Sequence, residues 1–406
     1  MSDPTKNSGL NFGKGGLLPQ EEMLETARRS KSLIIGIPRE SWEHENRVPL
    51  TPEAVELLVN NGHEVRIESN AGQKASYSDT DYSECGGMIS DSRKEIFQSD
   101  VLLKVAALSE KEIEMLKGNQ IVFSSLHVAT QKENYFRELI RKKITGIAYE
   151  NIRDKYGRFP VVRSMSEIAG ITSILLASEY LSNAHQGKGV LFGGITGITP
   201  AEVIILGAGT AAEYAARAAL GLGATVKIFD NSIHKLRRLQ NYIGQRMHTS
   251  IFHPRVLEKA LKSADVVIGA VHLVDEGPRY YVTEDMVKSM KNGSVIVDIS
   301  IDQGGCVETS ECKTLGDPMV VKHGVVHYAV SNIPSRVSRT ASIALSNVFA
   351  PILLNIGDSG GFKNQLRDDS GLRKGVYVFN GILTNRFVGK KFGIISRDID
   401  LLLAAF

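Results

Sequence analysis

Short apolar runs alternate with stretches of helical periodicity along most of this chain, the pattern of an α/β protein with parallel sheets. In the first 150 residues, five runs predict strands: SLIIGIP (32–38), HEVRIE (63–68), DVLLKVA (100–106), NQIVFSS (119–125) and ITGIAYE (144–150). A helix is predicted from Pro52 to about Asn61, because Thr51 is a favourable N-cap and proline suits the first helical position. These elements predict one α/β unit.

The second half repeats this alternation around a glycine turn. Residues 203–230 have the pattern of a strand, a glycine turn, a helix and a second strand that ends in an acid. Further strands are predicted at 264–271, 294–300 and 325–330, with a helix capped at Thr283. These elements predict a second α/β unit.

Two long segments with helical apolar spacing connect the units, SMSEIAGITSILLASEYL and Ser338–Ile356. If the second returns the chain to the first unit, the fold is α/β with two Rossmann-like doubly wound parallel-sheet domains, the second inserted into a discontinuous first domain. The predicted bounds are 1–31 for an N-terminal extension, which includes a short helix at 19–31, 32–160 plus 339–406 for the first domain and 161–338 for the second.

Composition excludes several classes of protein. The chain has 406 residues, 42% of them hydrophobic, and a net charge of +3, which is too small to indicate nucleic acid or a membrane surface as a partner. Its three cysteines, Cys85, Cys306 and Cys312, include no C-x-x-C pair, which argues against a disulfide framework and a structural zinc site. No apolar run reaches the roughly 18 residues of a membrane span, and the N-terminus lacks a secretory apolar region. We expect a cytoplasmic protein without a bound metal.

The glycine turn predicts a dinucleotide site. Gly207 and Gly209 allow a tight turn and close approach to a pyrophosphate, which the N-terminus of the following helix favours. Ala212 stands at the third glycine position of the motif, where alanine is an accepted variant. Asp230 ends the second strand, where a carboxylate accepts from both hydroxyls of an adenosine ribose and repels the 2′-phosphate of NADP. The predicted cofactor is therefore NAD, which makes 161–338 the NAD-binding (nucleotide) domain and 32–160 plus 339–406 the substrate domain.

Open α/β sheets bind ligands just beyond the ends of their strands. Four polar residues lie in or near such positions, three in the first unit and one in the second. They are Arg47, Lys104, His127 and Asp302. Each also has a structural explanation: a surface or ion-pair arginine, a lysine at a sheet edge, a core histidine and a turn-forming aspartate. Taken together they suit hydride transfer, which needs a cation for a carboxylate, a proton carrier near neutral pH and a group that organises water.

From Leu33 to near its end the chain resembles the alanine dehydrogenase family, whose relatives include the first domain of proton-translocating nicotinamide nucleotide transhydrogenase. The resemblance is carried by ENRVPLTPEAVELLVNNGHEV, VFSSLHVAT, SMSEIAG, GAGTAAEYAARAALGLGAT, VIVDISIDQGGCVE and AVSNIPSRVSRTAS. It implies NAD as cofactor, a 2-amino acid, 2-oxo acid and ammonium as small-molecule partners, and a homohexamer.

The resemblance also implies roles for individual residues. His127 is the proton donor or acceptor, Asp302 acts at the reacting carbon beside the nicotinamide, and Arg47 binds the substrate carboxylate. The cofactor contacts it implies are Ser166, the turn Gly207–Ala212, Asp230, Lys235, Val271, His272, Ile299, Ser300, Ile301, Asp302, Val330, Ser331, Asn332 and Ile333.

One position departs from the family pattern. The family's substrate lysine is the second lysine of a KVKEP run, which here is KVAAL, so Ala106 replaces it and Lys104 matches only the first lysine. Three functions are therefore weighed: oxidation of L-alanine to pyruvate and ammonium with its reverse, a related dehydrogenase with another amino-acid or imine substrate, and a transhydrogenase-like nucleotide-binding subunit. Since transhydrogenase domains lack this histidine and the intact IDQGG, His127 and Asp302 favour a dehydrogenase.

Overall fold

The computed structural model describes residues 31–128, 130–245, 247–272 and 280–405. The predicted N-terminal extension, 1–31, lies outside the described residues except for Lys31. The described strands are β1 (Ile34–Ile37), β2 (Glu64–Glu68), β3 (Met88–Ser90), β4 (Val101–Leu103), β5 (Ile121–Ser124), β6 (Thr145–Ala148), β7 (Glu202–Leu206), β8 (Thr225–Phe229), β9 (His248–Ser250), β10 (Val266–Gly269), β11 (Val295–Asp298), β12 (Met319–Lys322), β13 (Val325–Tyr328), β14 (Val376–Phe379) and β15 (Ile382–Leu383).

Helices separate most of these strands. The described α-helices are α1 (Pro52–Asn60), α2 (Asp79–Glu84), α3 (Arg93–Ile96), α4 (Glu110–Met115), α5 (Glu133–Arg141), α6 (Pro160–Tyr180), α7 (Thr210–Gly221), α8 (Ile233–Ile243), α9 (Pro254–Ser263), α10 (Glu284–Lys288), α11 (Ser338–Asp358), α12 (Phe362–Asp368), α13 (Ser370–Gly375), α14 (Arg386–Phe392) and α15 (Ile399–Ala405). Short 3-10 helices are Gln73–Ala75, Tyr149–Asn151, Asn183–His185, Ile299–Gln303 and Ile333–Val337.

The strands form two sheets. The first has the order β15-β14-β6-β5-β4-β1-β2-β3 and the second the order β12-β13-β11-β10-β7-β8-β9. Pairing is parallel except at one edge of each sheet, where β14 pairs antiparallel with β6 and β15, and β12 pairs antiparallel with β13. The prediction of two parallel-sheet α/β units is confirmed.

Burial explains the apolar composition of these strands. All residues of β6, β10 and β11 are buried, as expected for central strands covered on both faces by helices. Helix α6 and the segment Ile333–Asp358 are long and apolar enough to cross a membrane by length and composition alone, but they pack on one another, and 44% and 50% of their most apolar windows are buried. They therefore resemble the core helices of a folded domain.

The first sheet is assembled from both ends of the chain, since β14 and β15 follow the whole of the second sheet. This arrangement is the one expected for an inserted domain, while the bounds at 160/161 and 338/339 stay a prediction. One local expectation was wrong: the strand expected at 100–106 ends at Leu103, so Lys104 and Ala106 follow the strand. Thr51 is the N-cap of α1 and Pro52 is its first residue, as predicted, although the Thr51 side chain makes no capping hydrogen bond within the described residues.

Candidate active site

The glycine turn and Asp230 are brought together at the ends of β7 and β8. Gly207 has a φ of +103°, and a Cβ there would lie 2.4 Å from the Ala270 carbonyl oxygen, so glycine is required. Asp230 accepts hydrogen bonds from the Ala208 amide to Oδ2 (2.8 Å) and from the Ser232 amide to Oδ1 (2.7 Å). The acid predicted to bind a ribose therefore lies directly against the turn predicted to bind a pyrophosphate.

The surface above this turn fits a dinucleotide. A Cβ on Gly209 would meet no described atom within 4 Å, so the backbone there is open to close approach. Gly209 is also the N-cap of α7, and no described side chain caps that helix N-terminus. Its free amide groups and the positive end of the helix dipole suit a phosphate. The buried Ala212 is accommodated within α7.

The remaining predicted cofactor residues mostly follow neighbouring strands. His272 follows β10, Asp302 lies in the 3-10 helix after β11, and Asn332 follows β13. Because β7, β10, β11 and β13 are adjacent and parallel, the segments 271–272, 299–302 and 330–333 share one edge of the sheet. Ser166 lies on α6, which packs against β11 and the 3-10 helix after it. Lys235 lies apart from these segments, in the first turn of α8 beyond Asp230.

His127 follows β5 of the first sheet and Asp302 follows β11 of the second, and the fold brings them within range of an electrostatic interaction. Asp302 interacts electrostatically with His127 and His272. Its side chain remains accessible to solvent, but the surrounding protein desolvates it, and this burial raises the pKa of Asp302 although both histidines act to lower it. A carboxyl group with a raised pKa beside an exposed histidine suits proton exchange with a substrate.

A carboxylate that sequence reasoning missed holds the His127 turn. Glu150, just after β6, accepts hydrogen bonds at Oε1 from the amides of Leu126 (2.7 Å) and His127 (3.3 Å). His127 itself has a φ of +44°, a left-handed conformation that is uncommon outside glycine. Glu150 therefore stabilises a strained backbone at the predicted proton carrier. Its position just after β6, the strand that pairs with β5, is the sequence signal that could have identified Glu150 as a site residue.

Arg47 is partly buried and forms a bidentate ion pair. Its Nε donates to Glu45 Oε1 (2.7 Å) and its Nη2 to Glu45 Oε2 (2.6 Å). Burial alone would lower the pKa of Arg47, but the Glu45 carboxylate outweighs burial and raises it. Burial likewise opposes ionisation of Glu45, and the arginine overcomes it and holds the pKa of Glu45 below its ordinary value. Glu45, two residues before the predicted arginine, was also missed.

Lys104 is also engaged in ion pairs. It has no exposed surface, and its Nζ lies 2.6 Å from Glu40 Oε2 and 3.8 Å from Glu112 Oε1. Glu40 Oε1 also accepts from the Val105 amide (2.6 Å). Burial raises the pKa of Glu40, and the repulsion of Glu45 adds to this, while Lys104 opposes it. Lys104 is thus paired in the protein interior, and the side chain at position 106 is uncharged.

The four predicted catalytic and substrate residues therefore differ in their surroundings. His127 and Asp302 interact electrostatically, and Arg47 is linked through Glu45 to the segment that contains Asn332. Lys104 is held in a buried ion pair with Glu40. Within the described ranges, no group of three or more histidine, cysteine or acidic side chains is arranged to hold a metal ion.

Comparison with known proteins places this arrangement in a family. Residues 36–169 match the family model for the N-terminal domain of alanine dehydrogenase/PNT, and residues 173–386 match the model for its C-terminal domain. Alanine dehydrogenase from Staphylococcus saprophyticus is 41% identical over 91% of this chain and 99% of its own length. Alanine dehydrogenase 2 from Staphylococcus aureus is 39% identical over 90% of this chain and 98% of its own length.

Solved structures agree with these matches. An L-alanine dehydrogenase superposes with a TM-score of 0.83 at 35% identity, covering 89% of this chain and 99% of that one. A transhydrogenase from Sinorhizobium meliloti shares the fold, with a TM-score of 0.73 at 22% identity over 86% of this chain and 98% of that one. With both family models matched and relatives of 39–41% identity aligned over nine-tenths of its length, this chain belongs to the alanine dehydrogenase/PNT family.

Proposed function

We propose that the protein is an NAD-dependent amino-acid dehydrogenase that converts L-alanine and water to pyruvate and ammonium, and catalyses the reverse reductive amination. The observation that carries this proposal is the electrostatic interaction of His127 with Asp302, which lies at the sheet edge that also bears the glycine turn. A nucleotide-binding subunit without chemistry of its own has no need of this pair. The matched relatives named alanine dehydrogenase support the choice of substrate.

The residues divide the reaction between them. The turn Gly207–Ala212 and Asp230 would hold NAD, which would supply the acceptor for the hydride that leaves the substrate Cα with its bonding electrons. Arg47 binds the substrate carboxylate through the guanidinium edge that Glu45 leaves free. His127 takes a proton from the substrate ammonium group and passes it to solvent before hydride transfer. It then takes a proton from the water that Asp302 orients at the imine carbon, and returns that proton to the nitrogen of the resulting carbinolamine. Loss of ammonium then gives pyruvate.

The direct test is formation of NADH from NAD and L-alanine at alkaline pH, followed by absorbance. Wild-type protein should reduce NAD only when alanine is present. His127→Ala and Asp302→Asn should both lose most of this activity, and His127→Ala should still bind NADH with unchanged affinity in a fluorescence titration. Normal NADH binding without turnover of any amino acid would contradict the proposal and favour the transhydrogenase-like alternative.

A second candidate function is a dehydrogenase for another amino acid or an imine. The side chains at positions 104 and 106 favour it. Ala106 supplies no charge, and Lys104 is fully buried against Glu40. Arg47 is then the cation left for the substrate carboxylate among the predicted substrate residues. A parallel screen of amino acids and oxo acids distinguishes the candidates, since kcat/KM for alanine should exceed that for bulkier amino acids if alanine is the substrate.

We further propose that the protein is a cytoplasmic homohexamer. The three cysteines are free, as is usual in a reducing compartment. Helix α6 exposes Ile171 and Leu175, and the nearby turn exposes Ile195 and Ile198, each with 42–62% of its surface accessible. Apolar side chains exposed in this number on one domain suit contact with further copies of the chain.

A further inference from the structure

One buried carboxylate connects the substrate side of the cleft to the cofactor side. Glu45 Oε2 accepts from Arg47 Nη2 at 2.6 Å and from Asn332 Nδ2 at 3.0 Å. Only 1% of Glu45 is exposed, so water scarcely competes for these bonds. Arg47 belongs to the loop after β1, whereas Asn332 belongs to the segment after β13. A single oxygen atom therefore joins the residue proposed to bind substrate to a segment proposed to contact the nicotinamide.

Glu45 orients Arg47 without occupying all of its donors. A guanidinium carries five N–H donors, and Glu45 takes the one on Nε and one on Nη2. Nη1 contacts the Met165 Sδ at 3.3 Å, and a thioether is a weak acceptor. The edge formed by Nη1 and Nη2 is thus the one that can receive a carboxylate. Its direction is set by Glu45.

The segment that contains Asn332 is itself attached to the Glu45 segment. Asn332 has a left-handed φ of +64° and precedes the 3-10 helix Ile333–Val337. Ser335, also 1% exposed, accepts from the Asn46 amide (2.7 Å) and donates to the His44 carbonyl (3.0 Å). Residues 44–46 and 332–335 therefore form one hydrogen-bonded unit, and a shift in one segment alters the geometry of the other.

We propose that Glu45 is a positioning residue that couples dinucleotide binding to binding of the substrate carboxylate. A nicotinamide that fixes the segment 330–333 also fixes Asn332, which fixes Glu45 and the free edge of Arg47. By thermodynamic linkage, a carboxylate bound at Arg47 tightens dinucleotide binding by the same factor. This inference rests on the proposed function, because it needs Arg47 to be the substrate ligand.

The test measures coupling by binding, separately from turnover. The Kd of NADH is determined by fluorescence titration with and without saturating pyruvate, in buffer free of ammonium so that reductive amination cannot proceed. Wild-type protein should bind NADH at least about fivefold more tightly when pyruvate is present, the lower end of typical coupling. In Glu45→Gln this ratio should fall to near one. Glutamine has one acceptor oxygen and an NH₂ group. With the oxygen at the Oε2 position Arg47 Nε loses its acceptor, and with the oxygen at the Oε1 position Arg47 Nη2 and Asn332 Nδ2 both do, so either orientation disrupts the arrangement that holds Arg47.

Two further variants make the test specific. Asn332→Gly accepts the left-handed backbone but removes the amide that reaches Glu45, so it should also lose coupling while the Arg47 pair stays intact. Asn46→Ala removes a neighbouring cross-segment bond, from Asn46 Nδ2 to the Ser335 carbonyl (3.2 Å), without touching Arg47. Asn46→Ala should therefore keep the wild-type ratio of Kd values. In steady-state kinetics, Glu45→Gln should raise the KM for alanine by a larger factor than it lowers kcat.

The outcomes separate the two proposals. If wild-type protein oxidises alanine but shows no coupling, or if Glu45→Gln and Asn332→Gly keep the full ratio, the inference is overturned and the proposed function stands. If wild-type protein oxidises no amino acid and pyruvate leaves the Kd of NADH unchanged, both are overturned. Loss of coupling in both variants, with the ratio preserved in Asn46→Ala, supports the role of Glu45.

Discussion

At position 106 the side chain is an alanine where the family pattern has a lysine, and this leaves the carboxylate site one positive charge short. Ala106→Lys should lower the KM for alanine by roughly tenfold or more, because a charge-assisted hydrogen bond contributes about 1.5–3 kcal/mol. Ala106→Met adds comparable length without charge and serves as the control. Steady-state kinetics at saturating NAD measure the effect. Equal KM values for the two variants would show that charge at this position is unimportant.

Lys104 and Glu40 make a second prediction at the residue scale. Lys104→Met leaves Glu40 buried without its cation, which should lower the free energy of unfolding by about 3–5 kcal/mol. Adding Glu40→Gln removes the unpaired charge and should recover most of this loss. Urea unfolding followed by circular dichroism gives the midpoints. If Lys104→Met were as stable as the wild type, the lysine would not be the structural cation that its burial indicates.

Strand β13 carries a buried histidine whose titration should be visible in the stability of the nucleotide sheet. Burial lowers the pKa of His327 to about 4, and the ring bonds to Thr309 Oγ1 (2.7 Å) and the Val325 carbonyl (2.9 Å). Because the folded pKa lies below the unfolded value of about 6.5, this contribution to stability is present above about pH 6.5 and is lost as the pH falls toward 4.

The loss should approach about 1.4 kcal/mol per pH unit within that window. Between about pH 7 and pH 5, wild-type protein should therefore lose about 2 kcal/mol more unfolding free energy than His327→Gln, which cannot titrate. Urea unfolding at both pH values measures the difference. His234→Gln, an exposed position on α8, is the control and should follow the wild type. Parallel pH dependence in wild type and His327→Gln would be inconsistent with a buried neutral imidazole.

The sequence could predict the elements that repeat a simple pattern. The glycine turn, its flanking strands and Asp230 could be predicted from their spacing in the sequence. The strands within 119–125 and 294–300 could be predicted because these runs are short and strongly apolar. Sequence patterns did not reveal the partners that come from distant positions. Glu45 meets Asn332 across 287 residues, and β14 joins β6 from the far end of the chain. Lys104 was predicted to bind substrate because its ion-pair partners, Glu40 and Glu112, are distant in sequence and could not be recognised from the local pattern.

At the scale of the whole molecule, the exposed apolar side chains of the nucleotide unit form the surface through which we propose that copies of the chain associate. Ile171 and Leu175 are one helical turn apart on α6 and are 42% and 54% exposed, although α6 is otherwise packed against α7 and α11. Burying such a pair against another copy contributes about 25 cal/mol per Å² of apolar area, whereas a buried unpaired carboxylate is strongly unfavourable. The association should therefore respond sharply to charge at these two positions.

The double substitution Ile171→Glu/Leu175→Glu should reduce a hexamer to smaller species without unfolding the chain, since both side chains already lie at the surface of the subunit. Light scattering coupled to size-exclusion chromatography gives the mass, and circular dichroism checks the fold. Ile395→Glu places the same charge at a side chain that is 78% exposed in the other unit, and it should leave the mass unchanged. If the double variant kept the wild-type mass, this face of α6 would not lie between subunits. Its apolar residues would then be ordinary solvent-exposed side chains.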